Sequence, residues 1–259
     1  MKVVEPVAAA RRIAQARAAG RTLDVTLSDT FALSLADAYA VQAQVTALRL
    51  ARGERVVGWK LGYTSLAMRE QMGVAEPNFG PLTDAMLLPD GSAAPRGLQP
   101  RVEPEIGLLL ARELRGPCSV EEALAACSTA VACLEIVDSV WTGYRFTLED
   151  NTADGSSAAF VVVGGQLPMD DLAGVGVQVY VGGDAVAVST GAAAAGHPAW
   201  GLAWLAGRLA ERGAGLRPGD LVITGGLTAA YPLESGVAVS AVSAVFGGRV
   251  WVSVSLACD

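Results

Sequence analysis

The sequence predicts an α+β protein, with an N-terminal helical subdomain over residues 1–55 and a β-rich catalytic domain over residues 56–259. Two observations carry this division. Apolar residues in the first part recur at helical spacing. After residue 55, short apolar runs alternate with Gly/Pro/Asp clusters, the texture of strands and turns. Most connections between those runs are too short for crossover helices, so a parallel βαβ sheet fits poorly.

In chain order, Val7 to Ala19 is rich in alanine and arginine and stops at Gly20. A second helix opens at Ser34 with Asp37 three residues on, a capping box. Leu35, Ala38, Tyr39, Gln42, Val45 and Leu48 follow at helical spacing, and Gly53 ends it. The strands expected beyond are Val56–Leu61, Ile106–Ala111, Ala130–Val137, Ala158–Val163, Val175–Val181, Leu221–Thr224, Val237–Val245 and Val250–Leu256. Helices are expected at Val120–Thr129 and at Ala199–Arg212, the latter after a Gly-His-Pro turn. Gly219-Asp220 and Gly247-Gly248 read as turns between strands.

Composition narrows the function. Of 259 residues, 52% are hydrophobic and 17% charged, enough apolar surface for a sizeable core. The net charge of −7 comes without a basic cluster, so nucleic acid is not an expected partner. With one histidine and four cysteines (Cys118, Cys127, Cys133, Cys258) in no C-x-x-C pair, a zinc site of Cys and His is excluded. No apolar run reaches membrane-spanning length and no signal peptide is visible, so the expectation is a reduced, soluble, cytoplasmic protein.

The chemistry-bearing residues stand out by their setting. Glu103 and Glu105, two apart, lead into the apolar run Ile106–Leu110 and would share one strand face. Glu135 lies inside the apolar run Val131–Val137, where an anion is costly unless it meets a cation. Three carboxylates on buried strands, with few basic residues nearby in sequence, point to a hard divalent ion, Mg2+ or Mn2+. The alternative is that each glutamate sits at a strand end facing water. Lys60 lies in a glycine-bounded apolar run, where burial or a metal would lower its pKa and suit it to moving protons. The alternative is a lysine reaching out from an edge strand. His197 reads as a turn or helix cap. Gly225–Thr228 and Asp154-Gly155-Ser156-Ser157 read as turns that can approach a ligand, and Asn78 as a polar loop residue.

Taken in order, these segments resemble the hydratase and decarboxylase branch of the fumarylacetoacetate hydrolase superfamily. The stretches that carry the resemblance are Val57 to Ser65, Met72-Gly73-Val74 with Phe79-Gly80, Glu103-Pro104-Glu105-Ile106, Leu134 to Ser139, Ala153 to Ser157, Gly196-His197-Pro198 and Gly225 to Thr228. The resemblance implies a mixed β-roll, a metal on Glu103, Glu105 and Glu135, and Lys60 as the catalytic lysine. Leu61, Asn78, Asp154, Ser157 and Thr228 would then contact the substrate. That substrate would be a small unsaturated 2-oxo acid, chelated through its carboxylate and 2-oxo oxygen, with charge developing as a dienolate. Tyr144-Arg145-Phe146 and the Gly225–Ala230 loop look like the 2-oxo-3-hexenedioate decarboxylase pattern. Arg145 would meet a second carboxylate or lie on the surface. The Pro77–Gly80 loop looks instead like 2-hydroxypenta-2,4-dienoate hydratase, though an acidic residue is usual where Asn78 stands. Gly155 replaces a usual asparagine, and Trp59 and Pro104 are less usual. Decarboxylase is the preferred expectation and hydratase the alternative. An acylpyruvate hydrolase relying on His197 and a non-catalytic partner subunit rank lower. A homo-oligomer, alone or complexed with a homologous hydratase or decarboxylase, is the expected assembly.

Overall fold

A computed structural model describes residues 2–65, 69–70, 73–233 and 241–256. Helix α1 (Pro6–Ala18) starts where the Glu5 side chain accepts the amides of Val7 and Ala8, with Pro6 at the first helical position. Helix α2 (Leu35–Leu50) carries the expected Ser34–Asp37 capping box. The two helices bury Ile13, Ala16, Ala38 and Val41 in a cluster of their own, completed by Val140, Trp141 and Ala153 of the following chain. The helical subdomain therefore shares its core with the segment that follows residue 137.

The remainder forms two sheets. The larger is a curled mixed sheet built from β1 (Val56–Gly62), β2 (Asn78–Thr83), β3 (Leu87–Pro89), β5 (Arg101–Leu110), β6 (Cys127–Val137), β7 (Ala158–Leu167) and β10 (Leu221–Ile223), in the order β2-β1-β10-β5-β6-β7-β3, with β11 (Tyr231–Pro232) paired to β5. The smaller runs β4-β13-β12-β8-β9, from β4 (Ala93–Ala94), β8 (Gly176–Val181), β9 (Asp184–Thr190), β12 (Ala241–Phe246) and β13 (Val250–Leu256). Pairing is mostly antiparallel, but β1·β10, β3·β7 and β4·β13 are parallel. Helices α3 (Val120–Ala125), α4 (Leu148–Ala153) and α5 (Pro198–Ala210) complete the fold.

One face of the larger sheet packs on the smaller sheet and on α5, burying Ile106, Leu108, Leu134, Val162, Val179, Leu202, Leu205 and Val252. The other face carries a smaller apolar cluster of Leu82, Met86, Val131, Cys133, Val161, Leu221 and Ile223. Both faces of the central strands are thus covered, which is why those strands read as almost continuous apolar runs.

Several expected boundaries change. The helix expected at Val120–Thr129 ends at Ala125, because Cys127 already belongs to β6. Strand β5 extends back to Arg101, so both glutamates lie inside it. Asn78 begins β2 rather than sitting in a loop. Strand β9 and helix α4 were not expected. The first is an edge strand and the second has only 6 residues, too short for periodicity to show. The first part of the strand expected at Val237–Val245 lies outside the described residues, as does Cys258; the remainder is β12. Cys118, Cys127 and Cys133 are free thiols. No described helix is long and apolar enough to cross a membrane.

Candidate functional site

Strands β5 and β6 pair antiparallel, with Glu103 opposite Glu135 and Glu105 opposite Cys133. Val102, Ile106 and Leu108 point into the main core, so the two-residue alternation sends Arg101, Glu103 and Glu105 to the other face. Glu135 reaches that face between Leu134 and Ile136. One oxygen from each of the three carboxylates lies within 4.8 Å of the others. Oε1 of Glu105 and both oxygens of Glu135 are buried without a hydrogen-bond donor. Repelling carboxylates with orphaned oxygens are unfavourable as they stand. The donor set is oxygen only, which suits a hard divalent cation. The fit is specific: three carboxylate oxygens converge, and Oε1 of Glu105 and of Glu135 have neither a donor nor a cation beside them.

The electrostatics follow from burial. Glu103 is pushed up to about 7 by burial and by Glu135. Glu105 is pushed well above the usual carboxylate range by burial, with Glu135 and Glu103 adding to it. On Lys60, burial works to lower the pKa, but Glu135, Glu103 and Glu105 outweigh it and the ammonium stays above its ordinary value. The lowered lysine expected from the sequence is therefore not found beside the bare carboxylates.

Lys60 is 3% exposed, so it does not reach out to solvent from an edge strand. Its Nζ stands 3.1 Å from Glu135 Oε2, a charge contact without hydrogen-bond alignment, and donates to the Ser156 carbonyl at 3.0 Å. That carbonyl is aimed by a left-handed turn in which Gly155, Ser156 and Ser157 all have φ between 56° and 72°. Glycine and asparagine tolerate this region best, which accounts for glycine at 155 in place of the usual asparagine. Ser156 Oγ donates to Asn78 Oδ1 at 2.9 Å, and Asn78 Nδ2 donates to Asn151 Oδ1 and Thr152 Oγ1, both at 2.9 Å. On the other side, Gly225 N–H donates to Glu105 Oε2 at 2.7 Å. Gly225 has φ +97°, and a side chain at Gly226 would collide with the Glu103 carboxylate, so this loop needs its two glycines.

A cavity of about 200 Å³ opens over these groups. Of the substrate-contact residues expected from the sequence, Leu61, Ser157 and Thr228 line it, together with Lys60 and Glu103. Asn78 does not; it stands behind Ser156, hydrogen-bonded to Asn151, Thr152 and Ser156. Asp154 does not line it either. Its carboxylate pairs with Arg17 of α1 at 2.7 Å and accepts Val140 N–H at 2.9 Å, which ties the helical subdomain to the catalytic strands. Arg145 is exposed and off the cavity. His197 caps α5, its Nδ1 accepting Ala199 N–H at 3.1 Å, and lies outside the cavity.

Sequence reasoning gave no role to Arg101 or Tyr63, and Tyr144 entered only within the decarboxylase-like segment; all three line the cavity. Arg101 precedes Glu103 by two residues, so the strand alternation that selected the glutamates also pointed to it. Tyr63, its hydroxyl pushed up to about 12 mainly by burial, is a neutral hydrogen-bond donor in the working pH range.

Residues 57–248 match the fumarylacetoacetate (FAA) hydrolase C-terminal family. A 4-oxalocrotonate decarboxylase of Pseudomonas sp. (strain CF600) is 38% identical over 210 residues, 79% of this chain and 80% of its own. A 2-keto-4-pentenoate hydratase of Burkholderia vietnamiensis (strain G4 / LMG 22486) is 39% identical over 225 residues, 84% of this chain and 86% of its own. Among solved structures, the 4-oxalocrotonate decarboxylase from Pseudomonas putida G7 complexed with magnesium and adipate matches with a TM-score of 0.92 at 31% identity, over 99% of this chain and 100% of that one. The chain belongs to the fumarylacetoacetate hydrolase superfamily, in its branch of 4-oxalocrotonate decarboxylases and 2-keto-4-pentenoate hydratases.

Proposed function

We propose that this chain is a divalent-metal lyase acting on a small unsaturated 2-oxo acid, with 2-oxo-3-hexenedioate decarboxylation as its reaction. The observation that carries the reading is the convergence of Glu103, Glu105 and Glu135, with orphaned oxygens on Glu105 and Glu135, beside buried Lys60. These three residues would hold Mg2+ or Mn2+. When bound, such an ion supplies Lewis-acid stabilisation for charge gathering on the 2-oxo oxygen of the substrate.

The protein's own groups do the rest. Leu61, Ser157 and Thr228 flank the substrate in the cavity, and Tyr63 donates from its rim. Lys60 Nζ, oriented by the Ser156 carbonyl, holds the proton that is delivered to the substrate carbon once the carboxylate has left. Asn78 fixes Ser156 and thereby the lysine. The electron pair of the breaking carbon–carbon bond travels along the conjugated chain to the 2-oxo oxygen, and the products are CO2 and the shortened 2-oxo acid.

The hydratase reading uses the same groups, and the 39% identity to a 2-keto-4-pentenoate hydratase supports it. The near-complete likeness to a decarboxylase that binds adipate, a diacid, favours decarboxylation. Incubation with Mg2+ and either 2-oxo-3-hexenedioate or 2-hydroxypenta-2,4-dienoate separates them. Released CO2 from the first is expected, and a 4-hydroxy-2-oxo acid from the second would make the chain a hydratase. Full turnover in excess chelator would overturn the metal reading altogether. The reading also carries a cytoplasmic oligomer, alone or with a homologous hydratase. Exposed Leu50 and Val56 beside a groove between α2 and the end of α5 support an assembly, which light scattering with and without the hydratase tests.

A further inference from the structure

We propose that Arg101, seated on the ring of Tyr144, reads the second carboxylate of the substrate and so selects diacids over monoacids. The inference rests on the 2-oxo acid reading of the site. Arg101 is on the same face of β5 as Glu103 and Glu105, one alternation further along, roughly 6–7 Å from Glu103. Apart from buried Lys60 it is the only cation among the described residues lining the cavity. It makes no ion pair among the described residues. A substrate whose 2-oxo acid end lies at the three glutamates therefore meets one unspent positive charge at its far end.

That charge is held in place. The Arg101 guanidinium carbon is 4.4 Å from the centroid of the Tyr144 ring, which supports it from one face. The ring is itself anchored, because the Tyr144 hydroxyl sits between the carbonyls of Gln99 and Val137 at 3.1 and 3.0 Å, both within reach of its single hydrogen. Those carbonyls flank the start of β5 and the end of β6, the strands that carry the glutamates. Tyr144 reaches this position through a tight turn with φ +65° at Gly143 and +58° at Tyr144. The distance between the acidic cluster and the guanidinium is thus set by one strand pair, and a flexible loop does not enter it. A planar guanidinium offers paired donors that match a carboxylate.

The chemistry assigns Arg101 to binding and not to rate. The distal carboxylate is charged in the ground state and loses that charge as CO2 departs. A cation paired with it stabilises the bound substrate at least as much as the transition state. Removing Arg101 should therefore raise KM for a diacid with little change in kcat.

The test compares adipate with hexanoate, which differ only in the second carboxylate, by calorimetric titration in Mg2+. Wild type should bind adipate about tenfold more tightly than hexanoate or better, the size of one charge-assisted pair. Arg101→Gln should bring the adipate-to-hexanoate ratio to within about twofold, and Arg101→Lys should retain part of the preference. Tyr144→Leu, which leaves the cation but removes its support, should fall between. In turnover, the KM for 2-oxo-3-hexenedioate should rise about tenfold in Arg101→Gln. Wild type without preference for adipate, or Arg101→Gln with the preference intact, would overturn the assignment. If wild type turned over neither 2-oxo-3-hexenedioate nor 2-hydroxypenta-2,4-dienoate, the lyase reading would fall, while the adipate and hexanoate affinities would still decide the role of Arg101.

Discussion

Glu105→Gln separates a metal ligand from a structural carboxyl. In the metal-free protein the Glu105 carboxyl is pushed well above its ordinary range by burial, then by Glu135 and Glu103, which favours the protonated acid over the carboxylate. Glutamine has nearly the shape of that protonated acid and retains an oxygen for the Gly225 amide, now 2.7 Å from Oε2. In chelator, the variant should melt within about 2 °C of wild type, or above it, because one source of repulsion is gone. Added metal reverses the comparison. At a concentration of about 100 Kd, Mg2+ stabilises wild type by about 2.7 kcal/mol. At about 2–4 °C per kcal/mol for a chain of this size, the melting temperature rises roughly 5–11 °C. Losing one of three anionic ligands should weaken binding at least about 100-fold, the upper end of what outer-shell changes cost. The same Mg2+ then stands near Kd and contributes about 0.4 kcal/mol, a shift of roughly 1–2 °C. Scanning calorimetry in chelator and in Mg2+ reads both halves. A variant several kcal/mol less stable in chelator would make Glu105 structural. An unchanged Mg2+ shift would place the metal elsewhere.

Three further outcomes follow from the same geometry. Lys60→Gln should lower kcat by about 10²–10⁴-fold while Mg2+ still raises the melting temperature; a normal kcat would remove the lysine from proton transfer. The metal-free protein should lose stability as pH rises. Glu103 is raised from 4.5 to about 7, so its contribution is full below the ordinary carboxylate range and disappears as pH climbs through about 7. Melting temperatures in chelator at pH 5 to 8 check this, and a flat or rising series contradicts it. Arg17→Ala should destabilise by about 2–4 kcal/mol, because buried Asp154 would keep only the Val140 amide. Asp154 is already raised by its burial, and losing Arg17 raises it further, so the deficit should shrink in acid; equal losses at pH 4 and 8 would argue against the pair.

The part of the site legible in the sequence is the part where charge violates an apolar pattern. Glu135 interrupts Leu134 and Ile136, and Lys60 interrupts Trp59 and Leu61; both conflicts are visible without coordinates. Arg101 was missed for the converse reason. It sits at a strand start, is exposed, and there violates nothing. Asp154 was drawn toward the substrate by its neighbours Ser156 and Ser157, whereas its partner Arg17 stands 137 residues earlier, a separation no local pattern encodes. Asn78 shows the same limit from another side. It begins β2, and its three side-chain hydrogen bonds all come from the segment 151–156. The fold class was readable because core strands buried on both faces are nearly all apolar. Strand β9 escaped because it lies at a sheet edge, where Val186 and Val188 face outward at 43% and 79% exposure.

Loss of CO2 and conjugate addition of water both send an electron pair to the 2-oxo oxygen, so the glutamates and Lys60 cannot distinguish them. The distinction must come from a group that one reaction needs and the other does not. Hydration needs a base to activate water. In this chain the position where related hydratases commonly carry an acid is Asn78, an amide without basicity. Its amide hydrogens go to Asn151 and Thr152, and its oxygen receives Ser156. It can orient but cannot take a proton. Decarboxylation needs no such base, only a site that accepts a second carboxylate and then lets it leave uncharged. Arg101 meets that requirement because it is exposed at the cavity wall and not buried beside the glutamates. A buried guanidinium would hold the ionised carboxylate and oppose its loss, whereas a solvated one binds it weakly enough to release it. An inert amide at 78, behind Ser156, and a solvated cation at 101, on the cavity wall, both favour the diacid and loss of CO2.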